Sequence, residues 1–203
     1  AERIQKRFKG SLEEKDFIDA STKTIIAQVD VLRDLVSAFS NFAEREKLSF
    51  TSTDINDLIS ESIQLFSRQN ESIFIHFEKG NLELVEVDRN KIQQVLNNLL
   101  LNAIDACEEV ESPKIKFETI TKKINSRKYC EVTIRDNGQG FDKSIIKNAF
   151  EPYQTSKKHG KGLGLAIVKS IIDEHNGEIS ISNNDIGASI KIYLPIKQTQ
   201  GDI

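Results

Sequence analysis

Two periodicities divide the chain. Between positions 18 and 43 apolar residues recur every seven positions. Ile18, Ile25, Leu32 and Phe39 form one register; Thr22, Val29, Val36 and Ala43 form a second, offset by four. Together they predict one helix of roughly thirty residues with a continuous seam, a pattern that needs a partner helix to bury it. The helix opens at Ser11-Leu-Glu-Glu, which fits a capping box. Gly10 reads as the stop of a preceding helix, because glycine enters the left-handed cap conformation without steric cost. The first ten residues therefore read as the tail of a helix.

Beyond the polar stretch 44–53, which holds a short strand candidate, the period changes. Ile55, Leu58, Ile59, Ile63 and Phe66 mark one face of a helix over 54–69. "SIFIHFEKG" alternates as a strand does, "LELVEV" is another short one, and "NKIQQVLNNLLLNAIDACEE" is strongly helical. "KIKFETITKKINSRKYCEVTIRD" predicts two strands joined by a polar tip carrying Lys122, Lys123, Arg127 and Lys128. A helix at about 163–175 follows, then the strands "GEISISN" and "ASIKIYLP". The order predicts an α+β fold: a two-layer α/β sandwich, one mixed sheet with helices on one face, preceded by the long helix of a helical hairpin. The expected divisions are 1–46 for the hairpin, 47–197 for the sandwich and 198–203 for a flexible tail.

Composition narrows the class. The chain has 203 residues and a formal net charge of -3, which argues against a general nucleic-acid binder. No apolar run approaches the roughly 20 residues that span a bilayer, and the first residues show no signal-peptide pattern. Cys107 and Cys130 lack metal or redox spacing and read as reduced fillers of a cytoplasmic protein. There is no methionine, so the chain is expected to be a piece of a longer protein, whose missing part could carry an inner-membrane anchor.

The glycines carry the chemistry. "DNGQGF" (136–141) puts Asp136 at a strand end before a tight turn. That carboxylate could accept from an exocyclic amine, and Gly138 and Gly140 let backbone come close to a flat ligand. A plain hairpin turn explains the same letters. In "GKGLGLAIVKSIIDEHNG" Gly160, Gly162 and Gly164 precede a helix, whose free N–H groups and dipole favour an anion. It is neither a P-loop nor a first-strand dinucleotide fingerprint. Asn98 and Asn102 stand four apart on one helix face, with Asp105 a turn later. Asparagine carbonyls are hard ligands suited to Mg²⁺, although a polar stripe at a solvent edge fits equally.

In combination these motifs resemble the ATP-binding domain of sensor histidine kinases, within the wider group that includes gyrase, Hsp90 and MutL. "NNLLLNAIDA" resembles the N box, "DNGQGF" the G1 box, "FEPY" the F box and "GKGLGL" the G2 box. The likeness covers roughly residues 50–195, and "FEPYQTSK…GLGLAIVKSIIDEHNG" is similar to nitrogen-regulation sensor kinases. Residues 1–46 then resemble the end of the first and the whole second helix of a dimerisation and histidine-phosphotransfer hairpin.

The resemblance implies roles. Asn102, with Asn98, would hold Mg²⁺ and the phosphates of ATP, with Asp105 nearby. Asp136 would take the adenine amine, and Gly138 and Gly140 would shape its pocket. Residues 141–161 would form a lid, packed by Phe150 and Tyr153, with Lys157 near the phosphates. Gly160, Gly162, Leu163, Gly164 and Leu165 would offer backbone amides, and Ser189 would place a hydroxyl under the adenine. In hydrolysing relatives a Glu stands four residues before the N-box Asn; here that residue is Asn98, which cannot serve as a general base near neutral pH.

The resemblance further implies a homodimer through the hairpin and a response regulator receiver domain as partner. No catalytic residue is assigned in this chain. His76 reads as a strand residue, His159 as a lid residue and His175 as a helix end where a cation suits the dipole, so the phosphoacceptor histidine is expected upstream. An ATP-driven switch of the same fold and a coiled-coil module without nucleotide remain as alternatives.

Overall fold

The structure, a computed structural model, describes residues 22, 48–67, 72–142, 146–153 and 162–198. The chain divides into two compact units, Ala1–Lys47 and Leu48–Ile203. In the first, Thr22 of the heptad pattern is helical and buried; the rest of the seam lies outside the described residues.

The second unit starts with strand β1 (Phe50–Thr53) and helix α1 (Ile55–Ser67). Asp54 opens α1 by accepting the Asn56 amide at 2.8 Å. Strands β2 (Phe74–Glu78) and β3 (Val85–Asp88) follow. Helix α2 (Arg89–Ala106) is capped by Asp88, whose carboxylate accepts from Asn90 and Lys91, both at 3.1 Å. That satisfies two of the amides a helix start leaves without intrahelical partners. Its apolar residues Ile92, Val95, Leu96, Leu99, Leu100 and Ala103 recur at helical spacing and are all buried. Emptying one of them, as in Leu99→Ala, would cost about 2–5 kcal/mol.

A long hairpin, β4 (Lys114–Ile124) and β5 (Arg127–Asp136), turns at Asn125 and Ser126, both at positive φ. A 3-10 turn covers Ile146–Asn148. Helix α3 (Gly164–Glu174) and strands β6 (Glu178–Asn183) and β7 (Ala188–Pro195) complete the unit.

The main sheet has the order β2-β4-β5-β7-β6, with β2 parallel to β4 and the other pairs antiparallel. The mixed sheet and α+β class agree with the sequence reading. One feature differs: β1 and β3 form a separate antiparallel ribbon, Phe50 pairing with Asp88 and Thr53 with Val85. Each is four residues long, too short for its alternation to declare a partner.

Strand alternation sorts the faces. Phe117, Cys130, Val132, Ile134, Ile190, Ile192 and Leu194 join the core with α1, α2 and α3. The other face is polar and paired: Arg135 with Glu118 at 3.0 Å, and Glu131 with Lys122 at 3.0 Å and Lys191 at 3.7 Å. Burial pushes the Glu131 carboxyl up, but the two lysines and the Tyr193 hydroxyl outweigh it and hold it below its usual range. Gln198, expected in a free tail, is bonded in. Its amide nitrogen donates to Glu86 Oε2 at 2.9 Å and its side chain to the His175 carbonyl at 3.1 Å.

Candidate nucleotide site

Three pieces of chain meet around the C-terminal half of α2. The first is the β5 end. Asp136 is buried, and its Oδ1 accepts the Gly138 amide at 2.9 Å and the Ala188 amide at 3.2 Å. The carboxylate is therefore held by backbone from its own turn and from the start of β7.

The turn itself is pressed against α2. A Cβ on Gly138 would lie 2.4 Å from the Ala106 carbonyl oxygen, and the Gln139 amide donates to that oxygen at 3.2 Å. So the close approach that Gly138 permits is to the last turn of a helix. Asn137 clips the turn to the start of β4, accepting from the Lys114 amide at 2.7 Å and donating to the Ser112 carbonyl at 2.9 Å. Gly140 has φ +70°, a left-handed conformation open to glycine. Asn183 then grips both backbone groups of Phe141, each at 2.8 Å.

The second piece is α2. Asn98 and Asn102 are both half-buried, and Asn102, seven residues after buried Val95, borders the core stripe of the helix. Asp105 is exposed. It borders a cavity of about 410 Å³ shared with Ile73, Cys107, Val110 and Pro113. Burial pushes the Cys107 thiol up, and the charge of Asp136 adds to this.

The third piece is the start of α3. A Cβ on Gly164 would sit 3.7 Å from Asn102 Nδ2, so the asparagine and the helix start face each other across an ordinary contact distance. Leu163 occupies the N-cap and has no side-chain acceptor for the first-turn amides. Those amides and the helix dipole suit a negative group. Gly162 has φ +66°, and its carbonyl accepts the Tyr153 amide at 2.9 Å.

Not every expected residue joins this cluster. Phe150 packs half-buried against the core, as does Leu165, and Leu163 is buried. Tyr153, expected to pack, is 64% exposed. Lys157 and Gly160 lie outside the described residues. Ser189 is on the wrong side of its strand. Ile190, Ile192 and Leu194 face the core, so alternation sends Ser189 to the opposite face with Lys191 and Tyr193. The residue beside Asp136 is Ala188.

His175 also departs from its sequence reading. It is wholly buried. Its Nε2 accepts the Asp88 amide at 3.0 Å, which puts the ring proton on Nδ1, 2.7 Å from the Ile171 carbonyl. Burial holds its pKa below the ordinary histidine value, so the ring is a neutral connector and not a cation at a helix end. His76 lies on β2, stacked beside Phe74 with ring centroids 6.4 Å apart.

Residues 87–198 match the family of histidine kinase-, DNA gyrase B- and HSP90-like ATPases. The chain belongs to that family. The matched stretch holds all three pieces of the site, and the unit they build is a histidine-kinase type ATP-binding domain. The chain is similar to a putative sensor histidine kinase, NtrY-like, of Rickettsia conorii, with 34% identity over 201 residues, 98% of this chain and 33% of that protein. It spans about a third of the length of the curated relatives it matches.

Among solved structures it resembles the nucleotide-free catalytic domain of histidine kinase ThkA. The TM-score is 0.64 at 34% identity, over 73% of this chain and 96% of that one. It also resembles ThkA in complex with response regulator protein TrrA, with TM-score 0.71 at 28% identity, over 96% and 55% of the two chains. Among the described residues no helix is long and apolar enough to cross a membrane.

Proposed function

We propose that residues 47–197 bind ATP with Mg²⁺ and present its γ-phosphate to a histidine. From there the phosphoryl group passes to an aspartate of a response regulator receiver domain. The observation that carries this reading is the approach of Asn102 to Gly164, 3.7 Å from the position of its would-be Cβ, at a helix start without a side-chain cap. A neutral side-chain amide, a half-exposed neighbour of the same kind and a helix start that its N-cap side chain leaves uncapped suit a magnesium-bound polyphosphate.

Asp136 accepts the exocyclic amine of adenine, with Gly138 and Gly140 shaping the turn that carries it. Asn102 and Asn98 are the candidate metal donors. Two neutral oxygens leave the rest of a Mg²⁺ shell to phosphate and water, as this ion prefers. The metal's contribution is to neutralise charge on the phosphates; the protein's is to position them. Gly162, Leu163, Gly164 and Leu165 supply amides at the start of α3, and Lys157 and Gly160 belong to the same motif. Asp105 borders the phosphate end, and Phe150 braces the segment entering the site. Residues 1–46 serve as the dimerisation and phosphotransfer hairpin, and the acceptor histidine belongs to that element of the parent protein. Asn98 in place of a base supports transfer to a protein nucleophile over hydrolysis.

Isothermal titration of the 203-residue chain with ADP and Mg²⁺ tests the reading. Asp136→Asn loses a charge-assisted hydrogen bond and should weaken ADP by about 10- to 100-fold with the fold retained. Unchanged affinity would remove the assignment. Rapid ATP turnover without an acceptor hairpin would favour the ATP-driven switch instead.

A further inference from the structure

His175 ties together the ends of both helices that frame the phosphate side. Its ring accepts the amide hydrogen of Asp88, the cap of α2, and donates to the carbonyl of Ile171 in the last turn of α3. The helices run antiparallel: the start of α2 meets the end of α3 here, while Asn102 near the end of α2 meets Gly164 at the start of α3. The two junctions are separated by about 20 Å along α2 and about 16 Å along α3, at 1.5 Å per residue.

The same junction takes in the chain that enters the catalytic unit. Asp88 Oδ2 accepts the Ser49 amide at 3.0 Å, and the Phe50 ring meets the imidazole edge-on with centroids 5.4 Å apart. The charged groups acting on the ring are Asp88 and Lys91 from the α2 side and Glu174 from α3. Gln198 closes the far side by bonding the His175 carbonyl.

We propose that His175 is a positioning residue for the nucleotide phosphates: by clamping the start of α2 to the end of α3, it sets the gap between Asn102 and Gly164 at their other ends. This rests on the phosphate reading of that gap. It does not involve the adenine end, because Asp136 sits on a strand and is held by Gly138 and Ala188.

Three substitutions in the full 203-residue chain separate positioning from packing. His175→Gln keeps a carboxamide oxygen within reach of the Asp88 amide. His175→Asn can still donate to Ile171 but falls short of Asp88. His175→Leu does neither. All three should lower the melting temperature, as any change at a fully buried site does. Adenosine affinity, followed by NMR titration, should stay within about twofold in all of them. ADP affinity should fall about five- to tenfold for Asn and Leu, the loss of about one hydrogen bond, and stay within about twofold of the parent for Gln. Equal ADP affinity in all four proteins, or parallel losses of ADP and adenosine, would overturn the proposal. A parent chain that binds no ADP would instead strike the nucleotide reading beneath it.

A measurement on the unsubstituted chain covers variants that do not fold. Coupling is reciprocal, so ADP should raise hydrogen-exchange protection of the Asp88 amide and adenosine should not. Protection unchanged by saturating ADP would refute the clamp.

Discussion

Glycines in two of the motifs look alike in sequence and should respond oppositely to alanine. At Gly138 the new methyl would lie 2.4 Å from the Ala106 carbonyl oxygen, 2.6 Å from its carbon and 2.8 Å from the Ala106 Cβ. Two of these atoms are helix backbone and cannot swing aside. The turn must lift from α2, which breaks the 3.2 Å bond from the Gln139 amide to Ala106. Overpacking costs about 1–3 kcal/mol and the lost hydrogen bond about 1 kcal/mol. Gly138→Ala should therefore destabilise the catalytic unit by about 2–4 kcal/mol.

At Gly164 the nearest atom is a side-chain amide 3.7 Å away. Gly164→Ala should leave stability within about 0.5 kcal/mol and weaken ADP binding by narrowing the gap to Asn102. Urea unfolding followed by circular dichroism reads the first effect and calorimetric ADP titration the second. Equal unfolding midpoints for Gly138→Ala and the parent would refute the claim that the turn is pressed onto the helix. A destabilised Gly164→Ala would refute the open gap.

Other expectations follow from single groups. Asn102→Ala should remove the Mg²⁺-dependent part of ADP affinity, measured by titration with and without a chelator; an unaltered metal dependence would contradict the donor assignment. His175 is held below its unfolded value of 6.5 by burial, so the unfolded chain takes up the proton first. Its stabilising contribution is present above about pH 6.5 and is lost as pH falls below it, with a slope of at most about 1.4 kcal/mol per pH unit. Urea midpoints from pH 7.5 to 5.5 should show that slope in the parent and lose it in His175→Gln. Backbone amides of Ser49, Lys91 and Asn90 outweigh burial and hold Asp88 below 3.8, so its contribution disappears only in a separate, more acid limb. Burial pushes the Cys130 thiol up to about 12, and Cys107 is 2% exposed. Neither should react with Ellman's reagent at pH 8 before unfolding, and fast labelling of native Cys107 would mean that the 137–141 turn opens.

What the sequence disclosed was local. The period of α2, the alternation of β4 and β5 and the helix after Gly162 were all readable, because each depends on residues within one or two turns of one another. Asn98 and Asn102 could be placed on one face for the same reason. What could not be read depends on side chains bonding to backbone far away. Asn183 grips Phe141 across 42 positions, and Gly187 lies against the Asp136 carbonyl, where a Cβ would come within 2.3 Å. Ser189 shows how narrow the margin is: a strand has period two, so an offset of one residue moves a hydroxyl to the opposite face. His175 was misread as a cation because helix position was visible and burial was not.

The two ends of the site are built from materials of different stiffness. On the proposed reading the adenine end rests on β5, which is hydrogen-bonded on both sides to β4 and β7. Its carboxylate accepts two backbone amides, so it is oriented before any base arrives and needs little ordering on binding. The phosphate end rests on two helix segments that meet through side chains, and packed helices shift past one another more readily than paired strands slip register. A perturbation at the Asp88–His175 junction should then act on the phosphates while leaving base recognition intact. On this division of labour the domain could keep hold of its nucleotide while the aim of the γ-phosphate changes.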